Sequence, residues 1–485
     1  MRAAVAAALT LVAAGCAAPL GPGFTVERQS LKVDYLPAAQ PDAHARVRAS
    51  WRLKNTGTRP LESLEVQAPE TERYGRTGLK ASVDGREVAT ANTASGALNI
   101  VFEKPWAQNE RLDVVIEYEL GKQATYLGVA LQPDALVLTG WDWYPALRAP
   151  KSALAKVTNE KPLDLTVCVP EGFLAHAGGS RRGKRKDAGA LAYRFRMKKD
   201  AGRPFVVAGR FYEQQFRREN TTIVFWTIHS PWPQEQIAKV GARLADCVEA
   251  YEREFGLLPG DKVEEPYRVV VIPGWSTTLV SGFPLFLNPE FPRGAVILAR
   301  DKMPDNSNNY ELMMAAYGFS ESWFETPEKT EFGATSVFQM TLMQYAARFV
   351  GAEAMGVAPE RTAAVQQTLK GFDHYAGDPR SPKPRPLAAV AVHEKSGERL
   401  PALIRSELFF AALEDKCGED AVRRAMRHLA ETLRGENYGY TELRSALEQE
   451  CGADLGATFR MWLYDTGIPA DFRQRYETPK SPAVH

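Results

Sequence analysis

Histidine is scarce in this chain. Among 485 residues there are seven, His44, His176, His229, His374, His393, His428 and His485, and they are scattered. No two stand one helical turn apart, so no histidine pair is present to begin a metal site. His393-Glu394 opens like such a helix, but Gly397 stands where the second histidine is needed. The chain also lacks a Gly-x-Ser-x-Gly elbow, a phosphate-binding loop and a dinucleotide fingerprint, which removes the sequence support for serine-elbow hydrolysis and nucleotide chemistry. Neither sign of charge dominates: Lys and Arg number 60 and Asp and Glu 59. That balance excludes a polyanion specialist, and no nucleic-acid partner is expected. Beyond the first residues there is no apolar run long enough to span a bilayer, and there are no internal repeats.

What is present is globular: 45% hydrophobic and 25% charged residues, in a chain long enough for two or three cores. The start is a targeting segment. Arg2 is followed by an apolar run from Ala3 to Ala14, too short to cross a membrane but suited to the centre of a signal peptide. Val12-Ala-Ala-Gly-Cys16 resembles a bacterial lipobox, with Ala13 in place of the usual leucine. It implies cleavage before Cys16 and lipidation of that residue. Several acyl chains anchor firmly where one does not. The competing reading is an ordinary signal peptide cut near Ala17-Ala18, which leaves a secreted chain. Residues 1–16 are thus expected to be the signal with its lipobox. Residues 17–24, rich in Pro, Gly and Ala, form a tether. The expected location is the bacterial cell envelope, facing the periplasm or the exterior.

Alternating patterns such as Ala45–Leu53 and Leu112–Leu120, separated by turn signals at Asn55-Thr-Gly and Asp84-Gly, predict an antiparallel β domain over 25–213. A strand near 222–228, a helix over 234–255 and strands near 267–272 and 294–298 then alternate as α/β. A helix from Tyr310 to Thr326 follows, with Pro327 ending it. Its stripe Tyr310, Met314, Tyr317 and Glu321 suggests an amphipathic surface. From about 335 the 3.6-residue period dominates, with helices over 401–416, 419–434, 440–450 and 454–465. The second domain spans 214–475, and 476–485 is a tail. The fold class is α+β multidomain. The basic run Arg181–Lys186 lies between two strand patterns and reads as a solvated hairpin tip, or as a contact for an anionic surface. Cys168 and Cys247 fall in apolar patterns and read as buried thiols. Cys417-Gly418 and Cys451-Gly452 each look like a helix end, and a disulfide between Cys417 and Cys451 is one outcome if those ends meet.

The stretch Tyr317-Gly-Phe-Ser-Glu321-Ser-Trp-Phe324, and Val337-Phe-Gln-Met340-Thr-Leu-Met-Gln-Tyr345 after it, carry a resemblance. They are similar to the aminopeptidase N-type zinc metallopeptidases (gluzincins). The pattern there is His-Glu-x-x-His-x-Trp-Phe, then eighteen residues, then a glutamate within Asn-Glu-Gly-Phe-Ala-x-Tyr. Trp323 and Phe324 match. Gln339, Met340, Leu342 and Tyr345 occupy the Asn, Glu, Phe and Tyr places at the same spacing. Further stretches in family order and style are Trp143-Tyr-Pro145, Pro204–Gly209, Leu403–Leu408, Tyr440–Glu448 and Phe459–Pro469. The resemblance implies a thermolysin-like α/β and helical domain behind the β domain.

It also implies zinc held by two histidines and a glutamate, with a glutamate base beside the first histidine. Here those places read Tyr317, Glu321 and Met340 for the ligands and Gly318 for the base. His393 stands nearest to the family's oxyanion tyrosine, and the Gly-x-Met-Glu-Asn element has no counterpart. The expectation is a pseudopeptidase without zinc or other cofactor. It would bind a peptide or an envelope protein, or serve as a scaffold, with the membrane reached through the anchor. The alternatives are a peptidase with a rebuilt site and a hydrolase using other residues. Sequence leaves oligomeric state and partner open.

Overall fold

The computed structural model describes residues 23–37, 44–57, 59–92, 97–121, 129–138, 143–147, 161–187, 189–197, 204–258, 266–271, 295–298, 310–324, 337–380, 383–389, 396–433 and 438–477. Cys16, the tether before residue 23, Pro327 and His393 lie outside these residues.

The first part of the chain is β apart from a single helical turn at Thr71–Tyr74. Its strands are β1 (Phe24–Leu36), β2 (His44–Asn55), β3 (Leu61–Gln67), β4 (Arg76–Val83), β5 (Arg86–Val88), β6 (Thr90–Asn92), β7 (Leu98–Trp106), β8 (Arg111–Leu120), β9 (Val129–Leu131), β10 (Ala135–Leu138), β11 (Ala146–Leu147), β12 (Leu163–Pro170), β13 (Leu174–Ala177), β14 (Ser180–Asp187), β15 (Ala190–Met197) and β16 (Val206–Gly209). An eight-stranded sheet runs β14-β15-β12-β1-β2-β8-β4-β5, and two four-stranded sheets run β13-β16-β10-β9 and β11-β3-β7-β6. Strict alternation puts Val33, Val47, Ile116 and Val167 on a shared core face. On the opposite face of β2 and β8, Arg46, Arg48 and Arg52 stand directly across from Glu119, Glu117 and Asp113, in exposed ion pairs. Such pairs fix register more than they add stability. The indole N–H of Trp143 donates to the Pro204 carbonyl (3.1 Å), and the Tyr118 hydroxyl donates to the Trp143 carbonyl (2.9 Å).

Among the described residues the domain is antiparallel except at one place: β1 and β12 run parallel, with Leu31 opposite Leu165. Between them the chain makes β2, β4, β5 and β8 of the same sheet, all of the β11-β3-β7-β6 sheet and strands β9 and β10, so it returns by a crossover and not by a hairpin. A second difference concerns the basic run. Arg181–Lys186 is not a hairpin tip but most of β14, an edge strand paired with β15 and offset between Arg181 and Gly183. Charge on an edge strand discourages pairing with another chain, which is why a strand can hold so many cations.

A fourth sheet follows, in the order β17 (Tyr212–Arg218), β18 (Thr221–Thr227), β19 (Tyr267–Val271) and β20 (Ala295–Leu298), with the last three parallel. Helix α1 (Gln234–Phe255) crosses between β18 and β19. The helices that follow are α2 (Tyr310–Phe324), α3 (Val337–Tyr345), a π-helical turn (Ala346–Gly351) that runs into a short α-helical turn (Ala352–Ala354), α4 (Arg361–Gly377), a 3-10 turn (Leu387–Ala389), α5 (Ser396–Cys417), α6 (Glu419–Thr432), α7 (Tyr440–Cys451), α8 (Gly456–Tyr464) and α9 (Ala470–Tyr476). This is the α+β arrangement expected, β domain first and α/β-to-helical unit second. A small cluster of Val207, Phe205, Trp226 and Val270 joins the two parts. No helix among the described residues is long and apolar enough to cross a membrane.

Candidate functional site

Helix α2 carries three of the residues singled out from sequence, and it is not a surface helix. From Ala315 to Phe324 every residue is buried. The amphipathic stripe is therefore corrected: α1, α3, α6, the π-helical turn and β20 all pack against α2, so Ala315–Phe324 leaves no face for water, while Met314 is half-buried. Two residues anchor it. The Trp323 indole donates to the Gly256 carbonyl (2.7 Å) and meets Tyr251 edge-on at 5.4 Å. Phe324 meets Phe255 at 5.0 Å. Near the middle of the helix, the Tyr251 hydroxyl donates to the Ala316 carbonyl (3.0 Å). Trp323 and Phe324, the best-matched residues of the motif, are thus packing residues.

Helix α3 lies antiparallel to α2. The Gln339 amide donates to the Phe324 carbonyl (2.7 Å), and the Ser320 hydroxyl reaches the Met343 carbonyl (3.4 Å). This register sets Met340 level with Trp323, within about one helical turn of Glu321. Tyr317 and Glu321 share one face of α2 at i and i+4, and both are buried, at 5% and 3% exposure. Met340 is half-buried against the same core. Tyr317, Gly318 and Glu321 thus stand on α2 and Met340 on the helix packed against it, α3, while His393 lies outside the described residues.

These side chains differ from zinc's usual donor set. Glu321 is one carboxylate. A tyrosine phenol ionises near pH 10, and a methionine thioether is a soft ligand outside zinc's usual set of imidazole, thiolate and carboxylate. Gly318 has no side chain to accept a proton. No step through a metal is derived from this arrangement. Among the described residues, no group of three or more His, Cys, Asp and Glu is placed to hold a metal ion.

Sequence reasoning missed a buried polar network beside this region. Glu407 on α5 is 5% exposed. It pairs with Arg348 of the π-helical turn. It also accepts from the Thr368 hydroxyl (2.7 Å) and the Gln344 amide (2.8 Å). Two turns on, Glu414 accepts from the Tyr345 hydroxyl (2.6 Å) and pairs with Arg361 (3.0 Å). Burial pushes the Glu414 carboxyl up, against the hydrogen bond from Tyr345 and the charge of Arg361. Met340 and Gln344 lie one turn apart on α3, so the network continues the line that begins at Met340. The signal was present: two carboxylates two turns apart flank the apolar run Leu408–Leu413.

The remaining candidates are cysteines. Cys417 and Cys451 end α5 and α7 and are thiols in this structure. Cys247 is buried in α1 as expected. Cys168 is not: it falls on the outward face of β12 and is half-buried, because β12 alternates and Cys168 takes the outward parity.

No family model matches the sequence, and neither does any curated protein. Solved structures do resemble the fold. An M1 zinc metallopeptidase from Deinococcus radiodurans is 16% identical, with a TM-score of 0.56 over 95% of this chain and 98% of that one. A mutant of the Deinococcus radiodurans enzyme bound to a Tyr-Ser-Ala substrate gives a TM-score of 0.55 at 16% identity, over 92% and 95%. Legionella pneumophila aminopeptidase A in complex with aspartic acid gives 0.60 at 14% identity, over 92% of this chain and 50% of that one. The chain has the fold of two-domain M1 aminopeptidases.

Proposed function

We propose that this chain is a catalytically inactive aminopeptidase-like protein of the bacterial envelope. It acts by binding a peptide or partner protein, or as an accessory scaffold. One observation carries the reading. On a helix pair that keeps the spacing of the resembling peptidases, the positions of their ligands and base hold a phenol, a glycine, a carboxylate and a thioether. Zinc chemistry needs three protein ligands, an open position for water and a base within reach of that water. Removing the base alone forfeits a proton-transfer contribution of about 10²–10⁴ in rate. Replacing ligands removes the site itself.

The test is elemental analysis of chain purified without chelator, together with hydrolysis of aminoacyl reporters. The expected result is well under one zinc per chain and no hydrolysis above background. About one zinc per chain, lost in Glu321→Ala, would overturn the reading in favour of a rebuilt peptidase site. Hydrolysis without zinc would favour a hydrolase using other residues.

Anchoring is a separate part of the proposal, resting on the lipobox-like segment. Mass spectrometry of the natural protein is expected to show Cys16 as an acylated N-terminus, and Cys16→Ser should release the chain from membranes. An unmodified terminus at Ala18 or beyond would replace anchoring with simple secretion.

A further inference from the structure

Two helices of the C-terminal unit that pack against each other both end in cysteine. Cys417 is the last residue of α5 and Cys451 the last residue of α7. Each is followed by a glycine with positive φ, Gly418 at 83° and Gly452 at 66°, so the backbone turns away directly behind each thiol. The chain between them forms α6, which packs against both helices. The two helices pack against each other, both thiols are half-exposed, and the Cys451 side chain acts on the titration of Cys417.

The surroundings hold both ends in place. The Lys416 ammonium donates to the Thr458 hydroxyl (2.7 Å), tying the end of α5 to α8. Beyond Cys451, Glu448 accepts from the Leu455 N–H (2.8 Å) and from Arg444 (2.8 Å), which fixes the turn out of α7.

Two other roles for such a pair fit poorly. A metal site needs further ligands, and among the described residues no third His, Cys, Asp or Glu joins them in a cluster. A catalytic thiol has a depressed pKa, whereas burial, and then the hydrogen bond to Cys451, push the Cys417 thiol up to about 12.

We propose that Cys417 and Cys451 form a disulfide that clamps α5 to α7 once the chain meets a disulfide-carrying oxidant, either an oxidoreductase or a small-molecule disulfide. One cysteine, as thiolate, attacks a sulfur of the oxidant RS–SR. A mixed disulfide forms and one RS⁻ leaves. The second cysteine then attacks the protein sulfur of that mixed disulfide and expels the other RS⁻. The balance is two S–H bonds lost and one S–S bond made, with RS–SR reduced to two RSH. Closure stabilises chiefly by restricting the unfolded chain. In the cell the clamp requires an oxidising compartment and so depends on the proposed export. In vitro it depends on neither export nor the pseudopeptidase reading.

The experiment uses the full chain, reduced and then equilibrated with oxidised glutathione. It is quenched by alkylation under denaturing conditions and mapped by peptide mass spectrometry. The expected product is a single cross-linked pair of peptides carrying Cys417 and Cys451, with Cys168 and Cys247 alkylated. The oxidised chain should melt higher than the same chain in dithiothreitol, by roughly 5–10 °C for a bridge of typical strength in a domain of this size. Cys451→Ser should remove the difference. Because the main comparison uses the unaltered chain in two redox states, failure of that variant to fold leaves the test intact. Alkylation of both Cys417 and Cys451 after oxidation, or pairing of either with Cys168, would overturn the proposal. So would a bridge that leaves the melting temperature unchanged or lowers it, since the thiols would then not be placed for closure.

Discussion

A hydrogen atom cannot take a proton, and that is the whole side chain of Gly318. With Tyr317 before it, Glu321 one turn on and Met340 on the facing helix, the four identities decide the chemistry, while the backbone between them decides which helix each stands on. Both parts were legible in the sequence. Identity is read directly, and the placement on two packed helices follows from the helical repeat on either side of the break near Pro327. His176 was not legible, because its character comes from neighbours distant in the chain. It sits on β13 in edge-on contact with Phe195, Phe205 and Trp226, with ring centroids 5.9, 5.8 and 6.2 Å away. Burial, then the charges of Arg268 and Arg181, hold its pKa well below the ordinary value. The unfolded chain takes up a proton near pH 6.5 that the folded chain refuses. Stability is therefore full above that pH and falls as the pH drops through the window beneath it, with a slope of up to about 1.4 kcal/mol per pH unit from this one group. Urea unfolding between pH 5 and 8 should show that slope, and His176→Phe should flatten it. An unchanged slope in the variant would assign the effect to other groups.

Elements were read well where local pattern sets them. Helix α1 runs from Gln234 to Phe255 as the periodicity predicts, and the helices from Ser396 to Tyr464 fall close to their expected bounds. Errors arise where tertiary packing decides. The burial of Ala315–Phe324 on all sides, the edge-strand role of Arg181–Lys186 and the outward parity of Cys168 depend on neighbours that periodicity does not contain. The π-helical turn Ala346–Gly351 is another such case. A residue inserted into a helical ladder re-aims the side chains that follow it, and here the turn presents Arg348 to Glu407 and brings Gly351 against α1 and α2. A Cβ at Gly351 would lie 2.6 Å from the Tyr251 hydroxyl, 2.9 Å from the Cys247 sulfur and 3.1 Å from the Ala316 Cβ. Alanine is favoured over glycine in a helix by about 1 kcal/mol, so propensity alone predicts that Gly351→Ala stabilises. All three neighbours are buried in the core, and overpacking of this kind costs about 1–3 kcal/mol. The clash should win, with Gly351→Ala less stable in chemical denaturation. A gain in stability would mean that the α1–α2 contact has room to relax.

At the scale of the whole molecule, fold and chemistry rest on different residues. The residues that set the architecture are apolar anchors such as Trp143, Trp323 and Phe324. They are kept in family-like order, so the architecture was legible from them. Catalysis would rest on a few polar groups held around a substrate, and these can be lost without disturbing the anchors. It follows that returning the polar groups of α2 and α3 should not return an enzyme. A chain with Tyr317→His, Gly318→Glu, Glu321→His and Met340→Glu regains three ligands and a base at family spacing, so zinc uptake is expected. Its stability without metal should fall, because positions 317, 318 and 321 are buried and new ionisable groups there are costly unless paired; breaking such pairing costs about 3–5 kcal/mol. Zinc should recover part of that loss, since metal binding is coupled to folding. Turnover needs two things more, an oxyanion donor and an anchor for the substrate's amino group. An oxyanion donor is worth about 10²–10³ in rate, and a misplaced substrate costs about a further 10². The zinc-loaded chain should therefore hydrolyse aminoacyl reporters at least about 10⁴-fold more slowly than a complete site. Elemental analysis, thermal melts with and without zinc, and reporter kinetics separate these expectations. Brisk turnover from the four changes alone would mean that the chain still admits and orients peptide substrates, which would favour peptide binding over scaffolding as its present role.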